Sequence, residues 1–376
     1  MRNPLLIAIL GIAIAGITFG LVSPVTVILL ETNHTPSWIT GTVTTMLYVS
    51  VVLFSSLTGK LIDRYSVKRI LSIGLLIISI CSLGLIFWRN YYILFSVRFF
   101  HGIGVTFVFV ATEVLINSIS DETNRGRNIG LYVTSLSAGI AVGTLLIWTV
   151  RIYEWLPFVI GAAIILLVYM LEGLLLTELK PAEKQQTEMP EKFPIRLMPL
   201  IALSSAAVYG VFESSITVVI PLFGLRSGFT EGEVSYFLAA YVIGGIILLY
   251  YIGRSSDSKP KFRLMLIIAA ILGVFFLLPG FLSGPLFLSV VFFIIGGFVP
   301  AFYTIGLTYT VEKVKKPFIA QANGHFAMFY GVGTLVGPIA GSMLVEFNRQ
   351  YAFWVTSALL CFAFLIYFAI FQTEKK

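Results

Sequence analysis

Twelve apolar runs of about 20 residues follow one another along the chain, separated by short polar or charged stretches. They cover residues 4–30, 37–58, 70–88, 91–118, 129–150, 155–177, 197–224, 233–252, 264–283, 285–310, 319–345 and 351–371. Each is long enough, as a helix, to cross roughly 30 Å of hydrocarbon. The pattern therefore predicts an all-α integral membrane protein with twelve transmembrane helices. The first run is too long for a removable leader and lacks a small-residue cleavage site, so it reads as the first span. One long polar stretch, 178–196, carries three prolines and parts the runs six and six. This predicts an N-terminal six-helix bundle over 1–177 and a C-terminal one over 197–376. The stretch between them is too polar to order itself by burial and reads as a tether.

Composition agrees with a lipid solvent. Hydrophobic residues make up 58% of the chain and charged residues 11%, against roughly 45–50% and about 25% in soluble domains. The charges are also sorted. With the N-terminus in the cytoplasm, 20 of the 25 Lys and Arg fall in cytoplasmic segments. Only Arg89, Arg151, Arg226 and Arg349 fall outside, and Arg98 lies within a helix. That bias predicts a multi-pass plasma-membrane protein with both termini cytoplasmic. The net positive charge then serves topology and contact with anionic headgroups. Nucleic acid is not an expected partner, because no basic patch is interleaved with exposed aromatics. Cys81 and Cys361 fall in apolar runs and read as buried thiols. His34, His101 and His325 match no metal-ligand spacing, and no Gly-x4-Gly-Lys-Ser/Thr phosphate loop occurs, which argues against an ATP-driven pump. Neither a metal nor a cofactor is expected. No nucleophile–base–orienter set is recognisable, which argues against an enzyme.

Two motifs repeat at one spacing. Gly59-Lys-Leu-Ile-Asp63-Arg64-Tyr-Ser-Val-Lys68-Arg69 recurs 194 positions on, as Gly253, Arg254, Asp257 and Arg263 at matching offsets. Gly130, Gly139 and Gly143 recur, also 194 positions on, as Gly324, Gly333 and Gly337. Independent motifs sharing one offset indicate a duplicated half. Glycines carry no Cβ, so Gly59 and Gly253 are expected to let helix ends approach closely. The small-xxx-small spacing of Gly139–Gly143 and Gly333–Gly337 predicts tight helix packing. Pro338 adds a kink. Asp63 is expected in a helix-ending loop, where it can complement a helix N-terminus.

These residues resemble the major facilitator superfamily of secondary transporters over essentially the full length. The Gly59–Arg69 segment is similar to that family's loop between its second and third helices. Arg98-x3-Gly102-x-Gly104 resembles its fourth-helix motif, and Gly130-x8-Gly139-x3-Gly143 the fifth-helix motif of antiporters. Thr144 stands where that last motif has proline; Gly337-Pro338-x2-Gly341 carries the full form in the eleventh run. Glu113 with Asn124-Arg125-Gly126-Arg127 resembles small bacterial members. The resemblance implies two pseudo-symmetric six-helix bundles rocking about a midplane site. It further implies a cytoplasmic latch between the halves at Gly59, Asp63, Arg64, Lys68, Arg69, Gly253 and Asp257.

Charge at bilayer depth is costly and marks function or an internal partner. Glu213, Glu113 and Arg98 are therefore the candidates for proton coupling or substrate contact. Glu113 has a competing role as an ion-pair partner of Arg64, Arg125 or Arg127. Glu172, near the end of the sixth run, is expected to snorkel to water. Trp38, Trp88 and Trp155 are expected at the interfaces. Tyr48, Tyr132, Tyr209, Phe212, Tyr241, Tyr303 and Tyr330 are cavity candidates. An aromatic cavity with a carboxylate suits amphiphilic or cationic compounds. The expected activity is proton-coupled export (antiport, efflux, multidrug) of such a compound by a monomer, with uptake or efflux of a sugar or other metabolite as the alternative. A receptor without transport is the more distant one. The topology has a direct check: in intact cells, tags on either terminus should resist external protease. Cleavage of one would overturn the twelve-span arrangement.

Overall fold

The computed structural model describes residues 4–120, 124–175, 194–256, 259–281 and 284–371; most of the 178–196 stretch, and Asp257, lie outside them. The first six helices are α1 (Pro4–Thr32), α2 (Ser37–Arg64), α3 (Val67–Gly84), α4 (Tyr91–Ser118), α5 (Arg125–Leu145) and α6 (Leu156–Leu175). The second six are α7 (Leu200–Arg226), α8 (Glu231–Ser256), α9 (Lys261–Phe281), α10 (Pro285–Lys313), α11 (Ile319–Phe347) and α12 (Ala352–Phe371). Short 3-10 turns are the other regular structure among the described residues. All twelve helices are long and apolar enough to cross a membrane. Lipid offers backbone groups no hydrogen bonds, so long unbroken helices are the expected solution.

Several helices outrun their apolar runs. Gly59 to Arg64 is the last stretch of α2 rather than a loop, and Gly253 to Ser256 closes α8. Lys and Arg are good helix formers, and a terminal Arg64 favours the carbonyl end of the helix dipole. Only Tyr65 and Ser66 join α2 to α3. Ser66 caps α3, its hydroxyl accepting from the Arg69 amide at 3.3 Å, and it holds φ at 150°, a region that favours glycine. Asn90 caps α4 in the same way. Thr230 and Glu233 form a reciprocal capping box on α8, the Thr230 amide donating to Glu233 Oε2 at 2.8 Å and the Glu233 amide to Thr230 Oγ1 at 3.3 Å.

The chain forms two compact units, one of Met1–Thr35 with Thr42–Gln185, the other of Pro36–Gly41 with Gln186–Lys376. In the first, α1 packs along α5 and α6, and α3 along α4 and α6. In the second, α7 packs along α11, α10 along α8, and α9 along α12. The repeat spacing is visible in the contacts themselves. A Cβ on Gly139 would run into the Ala13 carbonyl and Gly16, and one on Gly333 into the Ala207 carbonyl and Gly210. Ala13 and Ala207, like Gly16 and Gly210, are 194 apart. Gly143 meets the Ile17 backbone, and Gly337 meets Val211, its counterpart. On α4, Gly102 meets Leu47; on α10, Gly296 meets Tyr241, again at the same offset. Hydroxyls tie these contacts: Ser215 Oγ donates to the Gly337 carbonyl at 2.7 Å, Thr18 to Gly161 at 3.1 Å and Ser50 to Phe99 at 2.6 Å.

Gly130 and Gly324 differ from this set, as do Gly59 and Gly253. A Cβ on any of the four would meet nothing within 4 Å, so close helix approach does not account for them. Pro338 lies inside a continuous α11. The second unit has an aromatic core, in which Trp354 contacts Phe223, Phe276, Phe292 and Phe353. It also takes in Ser37 at the start of α2, which donates to Glu346 and accepts from Arg226 at 2.6 Å.

The two kinds of glycine predict opposite outcomes. Gly139→Ala and Gly333→Ala should lower thermal stability by about 1–3 kcal/mol through overpacking against backbone. Gly130→Ala and Gly324→Ala should raise it by about 0.5–1 kcal/mol, since alanine is the better helix former. Thermal unfolding of the purified protein measures both.

Candidate functional site

Glu213 lies on α7, one turn beyond Tyr209. Tyr330 on α11 donates its hydroxyl to Glu213 Oε2 at 3.4 Å, a long and therefore weak bond. Tyr330 stacks on Tyr209 with ring centroids 5.4 Å apart and an interplanar angle of 20°. Tyr303 of α10 meets Tyr209 at 5.2 Å and Tyr330 at 5.5 Å, and Phe326 backs it at 5.1 Å. Three tyrosines from three helices thus close on one another beside a carboxylate. Each ring pair adds about 0.5–1.5 kcal/mol beyond its buried area, so the cluster is pre-shaped. Tyr241 of α8 is within electrostatic reach of Glu213. Its hydroxyl is buried with no hydrogen-bond partner among the described residues.

The other cavity candidates are placed differently. Phe212 is 1% exposed and packs on Phe276 at 4.7 Å. It is a core residue, because the face of α7 next to Glu213 turns inward. Tyr132, on α5, is within electrostatic reach of Glu113, and Tyr48, on α2, of Arg98.

The duplication makes the polar cluster conspicuous. The positions 194 residues before Glu213, Tyr303, Tyr330 and Tyr209 are Phe19, Phe109, Leu136 and Ala15. Phe19 and Phe109 meet edge to face at 5.2 Å. One frame thus carries a polar aromatic cluster in the second unit and an apolar one in the first.

In the first unit Glu113, Arg98 and Glu172 make no hydrogen bond or ion pair with one another among the described residues. Glu113, on α4, is exposed and pairs with no cation among the described residues; an ion pair with Arg64 or Arg127 does not form. Arg98 is 2% exposed and donates to the Ser23 hydroxyl and carbonyl at 3.3 and 3.4 Å. Glu172 does not snorkel. It is 5% exposed, its carboxylate lying in the space that a Cβ on Gly11 would fill, and its Oε2 lacks a partner among the described residues. The missing side chain of Gly11 is what admits it. The spacing of Gly11 and Glu172 across two helices was not readable as a pair from sequence. Trp88 is buried at 3% exposure, whereas Trp38 and Trp155 are exposed at 55% and 44%.

The α2–α3 segment presents Asp63 and Arg64 on the surface. Arg64 lies over the Tyr65 ring at 5.3 Å. Lys68 reaches the Gly173 carbonyl at 2.9 Å, where a cation complements the end of α6. Arg69 is exposed at the start of α3. Among the described residues, no group of three or more His, Cys, Asp or Glu is arranged to hold a metal ion.

Two six-helix units with the same helix-pair contacts at one sequence offset define a transporter of the two-bundle secondary class. The Major Facilitator Superfamily model matches residues 8–314 and 202–376, and the chain belongs to that family: it is a multi-pass membrane transporter of small molecules. It is similar to the uncharacterized MFS-type transporter YfkF of Bacillus subtilis (strain 168), with 26% identity over 344 residues, covering 90% of this chain and 88% of that one. The fold is shared with the nucleoside transporter NupG, with a TM-score of 0.78, 19% identity and coverage of 99% and 100%. It is shared also with a bacterial homologue of the human lysosomal transporter Spinster, with a TM-score of 0.75, 16% identity and coverage of 96% and 94%.

The exposed segment has a specific test. If Asp63 acts as a latch, Asp63→Asn should cut transport sharply while membrane abundance stays near normal. Unchanged flux would leave that segment a topological role alone.

Proposed function

We propose that this transporter exports a small amphiphilic or cationic compound in exchange for protons, with both termini cytoplasmic and Glu213 as the coupling carboxylate. The single observation behind this reading is the carboxylate set beside the Tyr209–Tyr303–Tyr330 cluster. Ring faces attract a cation, and a carboxylate supplies the counter-charge. A proton and a cationic substrate competing for one carboxylate is the simplest route to exchange, since each must leave before the other binds. Alternating access then follows from rocking of the two units, with Asp63, Arg64, Lys68 and Arg69 as the cytoplasmic latch. Glu113 is the second coupling candidate. Arg98 ranks behind both, because it is enclosed.

A second reading is transport of a metabolite with a planar ring. The near-parallel stack of Tyr209 on Tyr330 favours it, and a nucleoside transporter shares the fold.

Proteoliposomes with an imposed pH gradient test the proposal. Glu213→Gln keeps size and hydrogen bonding but removes titration. Uphill accumulation should disappear while downhill exchange partly survives, and Glu113→Gln should have the milder effect. Uphill transport that persists in Glu213→Gln would remove Glu213 as the coupling residue and put Glu113 in its place. Accumulation of nucleosides or sugars but not of organic cations would favour the second reading.

A further inference from the structure

In the first unit Arg98 is enclosed without a carboxylate. Its exposure is 2%, its bonds to Ser23 are long, and its Nε has no partner among the described residues. One turn on, His101 is 1% exposed, and both its ring nitrogens are likewise unpaired among the described residues. Ser82, on α3, is fully buried and its hydroxyl is also unpaired there. Neighbouring Cys81 is within electrostatic reach of Arg98. A buried cation needs an opposite charge, and buried donors need acceptors.

The duplicated unit shows what these residues replace. Helices α3 and α9 begin 194 residues apart, as do α4 and α10. Arg98 then corresponds to Phe292, and Ser82 to Phe276. Both phenylalanines pack on Trp354 in the core of the second unit. The first unit thus carries a serine where a ring fills the second, and a guanidinium in place of the other ring. It has exchanged packed apolar volume for unsatisfied donors.

We infer that Arg98, His101 and Ser82 form an internal binding site for one small monovalent inorganic anion of chloride size. A single guanidinium balances one negative charge. A neutral imidazole offers one N–H and the serine one O–H, so an anion held here needs no second cation. Exposures of 0–2% leave no path for a bulky carboxylate or a lipid headgroup. The bound ion would neutralise Arg98 and hold α3 and α4 together, making the stability of the first unit depend on the anion.

The test is thermal unfolding of the purified full-length protein, with chloride replacing gluconate at constant ionic strength. Wild type should show a saturable rise of roughly 2–4 °C, reproduced by bromide and not by sulfate. Arg98→Gln should lose the saturable rise, and His101→Leu should need a higher chloride concentration to reach its midpoint. Arg89→Gln, at an exposed ion pair, should respond as wild type does. If Arg98→Gln does not fold, His101→Leu decides the matter: an unchanged midpoint overturns the site. A chloride response that is absent or non-saturable in wild type, or retained in Arg98→Gln, overturns it as well and leaves internal water as the occupant.

Discussion

Backbone meeting backbone through absent Cβ atoms is the contact on which this molecule depends. Lipid supplies no hydrophobic force between helices, so attraction must come from close packing and hydrogen bonds. Gly16 with Gly139, and Gly210 with Gly333, let α1 reach α5 and α7 reach α11 at a distance that other side chains would forbid. Beside the second pair the Ser215 hydroxyl donates to the Gly337 carbonyl of the facing α11, while in the first unit Thr18 of α1 donates to the Gly161 carbonyl of α6. The identical spacing in the two halves means that one packing solution, once found, was used twice.

A frame this constrained leaves function to side chains that do not carry it. Glu213 and its three tyrosines sit on α7, α10 and α11, two of which form the tight glycine pair. Their positions are therefore fixed by backbone contacts on an adjoining face. The same positions in the first unit hold Phe19, Phe109 and Leu136, which shows that the frame tolerates either chemistry. The polar set thus belongs to the second unit's version of the frame and the apolar set to the first unit's.

Most of the architecture was legible in the sequence, because lipid enforces a simple rule: about 20 apolar residues per crossing. Repeats, span number and the glycine pairs of α5 and α11 all followed from spacing. Helix ends were less legible. The run of Gly59, Lys60, Asp63 and Arg64 reads as loop by polarity, yet a helix emerging into water needs no apolar residues to continue. Burial within the bundles was less legible still. Phe212 and Tyr209 are three residues apart and equally aromatic; only the direction of α7 separates the core residue Phe212 from Tyr209 in the tyrosine cluster. Glu172 reads as a snorkelling residue because nothing near it in sequence announces Gly11, which makes room for it from another helix.

The connection between α2 and α3 has a mechanical consequence. Tyr65 and Ser66 together reach no more than about 7 Å, and Ser66 is pinned both by its cap to Arg69 and by a backbone angle that few residues accept. Such a joint has almost no slack. The ends of α2 and α3 are therefore held close together, and Lys68, two residues beyond the joint, adds a hydrogen bond to the Gly173 carbonyl near the end of α6, so that three helix ends are tied at one corner of the first unit.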